Sequence, residues 1–180
     1  MKKLPLITLI FSLISIISFS QETETQISEK ENFNELKLNG LFLIAGSFEV
    51  TYERTINEES GVGFSVFLPF DEEVKDDVNY YISPYYRFYF GKKYAAGFFI
   101  EGFGMLNSVN EFIFNSNLND FEKKSITDFA LGIGVGGKWV TNNGFVGELN
   151  LGFGRNLFND YSNTDLKFVG KIGITLGYRF

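Results

Sequence analysis

From residue 36 to residue 180, apolar and polar side chains alternate with a period of two, in blocks of about ten residues set apart by turn-forming sequence. This alternation constrains the chain more than any other feature, because it is the signature of strands with one greasy and one polar face. Beyond the first twenty residues no apolar run approaches the roughly 20 residues that a membrane helix needs. Any crossing of a bilayer must therefore be made of strands, since lipid offers the backbone no other way to satisfy its hydrogen bonds. Composition agrees: 18% aromatic residues and 19 glycines, with only three prolines, suit a β-rich chain with tight bends.

Eight such blocks can be read. The first covers residues 36–45, with Leu36, Leu38, Phe42 and Ile44 on one face and Lys37 and Asn39 on the other. The second runs to Thr55 and sets Phe48, Val50 and Tyr52 against Glu49, Thr51 and Glu53. After a turn at residues 57–61, the third carries Val62, Phe64, Val66 and Leu68. Residues 71–79 read as an acidic loop. The fourth block, 80–90, sets Ile82, Tyr86, Phe88 and Phe90 against Ser83, Tyr85, Arg87 and Tyr89. A tight turn at Gly91-Lys92-Lys93 leads to the fifth, 95–106, with Phe98 and Ile100 opposite Glu101. Residues 107–125 read as the longest connection. The sixth block places Phe129, Leu131, Ile133, Val135 and Trp139 against Asp128, Ala130, Gly132, Gly134, Gly136 and Lys138. Asn142-Asn143-Gly144 is a hairpin signal, because Asn and Gly accept positive φ. The seventh opposes Phe145, Leu149, Leu151 and Phe153 to Glu148, Asn150 and Gly152. A polar loop at 156–165 precedes the last block, 166–180.

An even number of strands, with short turns at one end and mostly long loops at the other, predicts an all-β fold: a closed eight-stranded antiparallel up-and-down transmembrane β-barrel. The turns at 57–61, 91–94 and 142–144 would be periplasmic. Of the outward connections, only the one near Gly46 is short. The apolar face is too bulky for the inside of eight strands, so it is expected to face lipid. The lumen would then hold Lys37, Glu49, Glu53, Arg87, Glu101, Asp128, Lys138, Glu148, Lys171 and Arg179, five acids and five bases. Buried charges are costly unless paired, so this balance predicts a plug of salt bridges in preference to an ion path. Trp139, Tyr178 and Phe180 would lie at the periplasmic interface.

Residues 1–20 read as a secretory signal: Lys2 and Lys3, then an apolar stretch, then Ser18-Phe19-Ser20. A retained membrane helix is the competing reading. The short span, the small residues at its end and the missing cationic stop favour cleavage before Gln21. Residues 21–34 would form a flexible tail and residues 35–180 the barrel. With no cysteine, neither disulfides nor a lipid anchor on a cysteine are expected. The 16 basic residues less Lys2 and Lys3 leave 14 against 22 acidic ones, a net charge of −8. That argues against nucleic acid as a partner. There is no histidine, which removes the usual general base and the commonest metal ligand. The chain is therefore expected not to be an enzyme, and no cofactor is expected. Asp71, Glu72, Glu73, Asp76 and Asp77 match no calcium-loop spacing and read as a solvated, self-repelling loop. Gly132-x-Gly134-x-Gly136 lies inside an alternating strand, so it reads as lumen-facing glycine, not a phosphate loop.

The last strand has Lys171, then Gly173, Leu176, Tyr178 and a terminal Phe180. It resembles the C-terminal signal read by outer-membrane assembly machinery, and the resemblance implies recognition of these five residues as a strand edge. Residues 36–180 as a whole are similar to small outer-membrane barrels of OmpA/OmpX type. They are similar also to poorly characterised barrels classed as domains of unknown function, which residues 36–54 resemble most through Asn39 and Tyr52-Glu53-Arg54. The resemblance implies a Gram-negative outer-membrane location, with lipid and lipopolysaccharide as surroundings. The role expected is structural, or binding through the outer loops to an unidentified extracellular partner. A narrow pore or small-solute transporter, and a secreted lipocalin-like lipid carrier, are the alternatives.

Overall fold

The computed structural model describes residues 33–115, 120–159 and 164–180. The expected signal segment, 1–20, and all but the last two residues of the expected tail, 21–34, lie outside them. Eight strands form a closed antiparallel barrel in chain order. They are β1 (Asn34–Asn39), β2 (Ser47–Asn57), β3 (Ser60–Pro69), β4 (Val78–Phe90), β5 (Gly97–Asn115), β6 (Asp120–Val140), β7 (Phe145–Asn156) and β8 (Phe168–Arg179). Two short helices, α1 (Gly40–Ile44) and α2 (Glu72–Asp77), follow β1 and β3, and a 3-10 turn (Thr164–Lys167) precedes β8. The barrel closes by pairing β1 with β8, from Glu35 opposite Arg179 to Asn39 opposite Thr175.

The alternation resolves as expected. Ile133 is 76% exposed, Leu151 61% and Phe153 58%, whereas Glu53 is 0%, Arg87 1% and Lys138 1%. The bulky apolar face points out of the barrel and the charged face points in. Because a strand's side chains change side at every residue, the register of each pair carries this inversion around the whole wall.

Several local readings are corrected. The block 36–45 is only half strand. Asn39 ends β1 by turning its side chain to accept from Leu41 N (3.1 Å), which caps α1. The first outward connection is thus a helical turn and not a short bend, and Phe42 turns inward against Phe67 (centroids 5.2 Å apart). The acidic loop is helical: Asp71 accepts from Glu73 N (2.9 Å), and Glu72 and Glu73 occupy the first turn, where the helix dipole favours negative charge. Its charges are paired in part, Lys75 with Glu72 (2.5 Å) and Lys123 with Asp76 (2.9 Å). The turn after β4 runs to residue 96, so β5 starts at Gly97 and not at Ala95, whose φ is +41°. Of Asn142-Asn143-Gly144, only Gly144 takes positive φ (+82°).

The largest correction concerns 107–125. Instead of a loop, β5 and β6 continue their ladder from Asn107 opposite Asp128 to Asn115 opposite Asp120. β4 pairs with β5 only as far as Val109, and β7 pairs with β6 only from Ala130. The hairpin therefore stands beyond the rim, with polar residues such as Lys123, Lys124 and Ser125 exposed. Leu166 and Lys167, read as strand, belong to the 3-10 turn.

Candidate functional site

The chain's only dense collection of charge among the described residues lies inside the barrel, stacked along its axis. At the end where the termini emerge, Glu35 receives Arg179 (Nε 2.8 Å, Nη2 2.6 Å) and Lys138 (3.1 Å). Arg179 also donates to the carbonyls of Tyr94 (2.9 Å) and Ala95 (3.0 Å). Phe33 meets Tyr94 edge-on at 5.5 Å. The turn after β4 is thereby tied across the mouth.

The middle layer centres on Glu53. Its carboxylate accepts from Lys37 (2.8 Å), Arg87 (3.0 Å) and Lys138 (2.7 Å), and from the phenols of Tyr85 (2.9 Å) and Tyr89 (2.5 Å). Glu148 shares Lys37 (2.8 Å) and Arg87 (2.7 Å), and Glu101 joins Arg87 (2.6 Å) to Lys171 (2.6 Å). The Arg87 guanidinium also lies over the rings of Tyr85 (4.3 Å) and Phe99 (4.2 Å), and Lys138 lies over Tyr89 (4.2 Å).

Above this layer Glu49 accepts from Asn39 (2.5 Å) and Tyr81 (2.7 Å). Beyond it Phe67, Tyr81, Tyr85, Phe103, Met105 and Ala130 form an apolar cluster, with Phe42 of α1 and Val74 of α2 packed against them.

Small residues on β6 make this packing possible. A methyl group at Gly132 would collide with the ring of Phe103, and one at Gly136 with the ring of Phe99. The alternating glycines are the floor on which those rings lie, as a narrow barrel requires when large and small residues face each other.

Of the ten residues singled out as lumen charges, eight join one network: Lys37, Glu53, Arg87, Glu101, Lys138, Glu148, Lys171 and Arg179. Glu49 borders it through Asn39 and Tyr81. Asp128 sits at the far rim, where it accepts from the backbone N–H groups of Phe129, Phe158 and Asn159. Sequence reasoning missed Glu35, whose signal was present: it is two residues before Lys37 and so on the same face. The alternation puts Tyr85 and Tyr89 on the polar face with Ser83 and Arg87, though not among the expected site residues, and it leaves out Tyr81, two residues before Ser83 on that face. With Glu35 included, the layers from Glu35 to Glu49 hold five carboxylates (Glu35, Glu49, Glu53, Glu101, Glu148) and five cations (Lys37, Arg87, Lys138, Lys171, Arg179), with Asp128 and Glu111 buried farther along.

A charge costs several kcal/mol to bury unless its partners replace its water. Here Glu53, Glu101, Glu148 and Glu35 each accept from at least two cationic donors. These side chains have almost no accessible surface, so no column of water passes them. The arrangement locks the strands to one another.

The five residues of the expected assembly signal divide between the faces of β8. Lys171 is buried at Glu101, and Gly173 faces inward, where a methyl would meet the side chains of Asn150 and Asn39. Leu176, Tyr178 and Phe180 point outward, each more than half exposed.

Asn39 does more than cap α1. Its Nδ2 donates to Ile172 O (3.1 Å), and its Oδ1 accepts from Ile174 N (3.3 Å). The side-chain amide thus continues the β1–β8 ladder one step beyond the end of β1. Asn39→Ala is expected to cost about 1–2 kcal/mol, the penalty for orphaned buried polar groups. Amide exchange should show this as faster exchange at Ile174 than at Ile133, a site remote from the seam.

A family model described as "Protein of unknown function (DUF3575)" matches residues 9–172. Among solved structures, the N-terminal β-barrel domain of Pseudomonas aeruginosa OprF is similar, with 15% identity and a TM-score of 0.56. That match covers 84% of this chain and 100% of the domain. Ail, the attachment invasion locus protein of Yersinia pestis, solved with the heparin analogue sucrose octasulfate, shows 16% identity and a TM-score of 0.40 over 83% of this chain and 97% of its own. No curated protein matches the chain.

Proposed function

The chain belongs to the DUF3575 family of proteins of unknown function, and from that premise we propose that it is a non-enzymatic, plugged barrel of the bacterial outer membrane. Its role would be structural, or binding through the loops at the end opposite the termini. In this reading residues 1–20 are a cleaved export signal, 21–34 a tail and 35–180 the membrane domain. Lipid and lipopolysaccharide surround the wall. Assembly machinery engages Lys171, Gly173, Leu176, Tyr178 and Phe180, and the excess of acidic residues turns nucleic acid away.

One observation carries the proposal: large apolar side chains cover the outside on every strand, around an interior of paired charge. A water-soluble barrel has the opposite arrangement, because exposing so much contiguous apolar surface to water favours aggregation. The fold likeness to the OprF barrel domain is in keeping with this. A soluble lipid carrier needs an apolar cavity, and the interior here is ionic and filled. An open pore needs water along its axis, and the layer around Glu53 has no room for it.

Cell fractionation with a detergent gel run on heated and unheated samples tests the reading. The expected result is recovery in the outer-membrane fraction and a band whose mobility changes on boiling. Recovery as a detergent-free soluble monomer would contradict it. Planar bilayers address the plug: no steady conductance is expected, and stable single-channel steps would replace the plug with a pore.

A further inference from the structure

The wall of the barrel is interrupted at one place. β1 has only six residues, whereas its neighbours β2 and β8 have 11 and 12. A strand needs about 9–11 residues to cross a bilayer, so β1 falls short. The gap lies at the end opposite the termini, and α1 fills it, packed between β8 and β2.

The connection at residues 40–46 reads Gly-Leu-Phe-Leu-Ile-Ala-Gly and has no polar side chain. Every other connection between strands has charged or amide groups: Glu58-Glu59, Asp71 to Asp77, Lys92-Lys93, Asn117 and Asn119, Asn142-Asn143, and Asn159 to Lys167. Phe42 points into the barrel mouth, but Ile44 is 90% exposed and Leu43 39%. At the same end of the wall, where β2 begins opposite the end of β3, Phe48, Leu68 and Phe70 are apolar and each about half exposed. The rings of Phe48 and Phe70 already touch, with centroids 4.9 Å apart.

Part of the backbone at this junction is paired locally. Ala45 N donates to Leu41 O (3.1 Å), and Leu41 N donates to Asn39 Oδ1 (3.1 Å). Asn39 supplies Ile172 O and Ile174 N with the partners that a longer β1 would have given them. Unpaired backbone groups are not tolerated in hydrocarbon, and here the strand ends without leaving these groups unpaired.

We propose that α1 is a lipid-contacting part of the barrel wall, with Leu43 and Ile44 immersed in the acyl chains of the outer leaflet. α1 completes the membrane span that β1 leaves unfinished, while the β5–β6 hairpin on the other side of the barrel stands in water. The inference rests on the outer-membrane reading above and assigns a lipid surface to a segment that would otherwise be taken as an external loop.

The test uses the full chain assembled in phosphatidylcholine vesicles. Trp139, the only tryptophan, is first replaced by Phe. Single reporters are then placed by Ile44→Trp and Leu43→Trp, with Leu151→Trp as the mid-wall reference and Lys124→Trp as the reference in water. Emission is quenched either by lipids with brominated acyl chains or by iodide in the buffer. Ile44→Trp is expected to lose emission to brominated chains, as Leu151→Trp does, and to resist iodide. If Ile44→Trp does not assemble, Leu43→Trp gives the same readout. The proposal is overturned if both α1 reporters follow Lys124→Trp while Leu151→Trp still responds to brominated lipid. If Leu151→Trp responds only to iodide, the outer-membrane reading itself fails and this inference with it.

Discussion

Glu53→Ala is expected to lower barrel stability by about 3–5 kcal/mol, the cost of breaking a buried ion pair from one side. Three cations and two phenols converge on this carboxylate. Without it, Lys37, Arg87 and Lys138 remain in a dry interior with one net positive charge and too few acceptors. The measurement is the urea midpoint of unfolding in vesicles, followed by the heat-dependent gel shift. Charge balance can be separated from lost packing by a second change. Lys138→Met in the Glu53→Ala background restores neutrality, and Glu35 still has Arg179. The double variant is expected to be more stable than Glu53→Ala alone, a coupling that independent sites would not show. A double variant less stable than either single one would mean that the pairs matter for shape and not for charge.

Gly136→Val is expected to cost about 3 kcal/mol, the upper end of the range for overpacking. The added side chain would run into the Phe99 ring and into the carbonyl of Leu149 on β7. The ring has little freedom to move, because its other neighbours include the Arg87 guanidinium and Tyr89 (centroids 5.6 Å apart). The same strands supply their own controls. At Gly134 the nearest atom to an added methyl is Leu151 O at 3.2 Å, so Gly134→Ala should cost much less. At Gly147 nothing lies within 4 Å, and Gly147→Ala should leave the urea midpoint unchanged. Equal effects at all three positions would show that the glycines are needed for the backbone and not for the rings.

The sequence made the barrel legible because alternation is strongest where one face meets hydrocarbon and the other a packed interior. Strands β2, β3, β4, β7 and the barrel part of β6 satisfy that condition, and the faces that the alternation assigns them are those of the structure. The condition fails beyond the rim. In the β5–β6 hairpin, Ser108, Asn110, Lys123 and Lys124 are polar without regard to face, so the pattern reads as loop where the structure has strand. It fails differently in α1, where five consecutive residues without a polar side chain offer no contrast from which a period could be read. The helix is specified instead by Asn39, whose amide reaches two residues ahead and across to β8 at once.

The interior shows a similar division. Period two places Lys37 and Glu148 on the same side of the wall, but they are 111 residues apart, and only the register of closed strands brings them to 2.8 Å. Which acid meets which base is a property of that register. Glu35 is hidden for a simpler reason: the apolar alternation starts at Leu36, one residue after the inward face has begun. Phe99 and Phe103 look out of place in a charged lumen until the glycines beneath them are taken into account.

Nuclear Overhauser contacts between lipid acyl chains and methyl groups, recorded on the chain in lipid nanodiscs, measure directly which way the wall faces. Cross-peaks from acyl methylenes to Ile133, Leu151 and Ile172 are predicted, with none to the Glu53 and Arg87 side chains. Methyl contacts among Ile133, Leu151 and Ile172 through the barrel centre, with water reaching Arg87 and Glu101 from outside, would contradict the account.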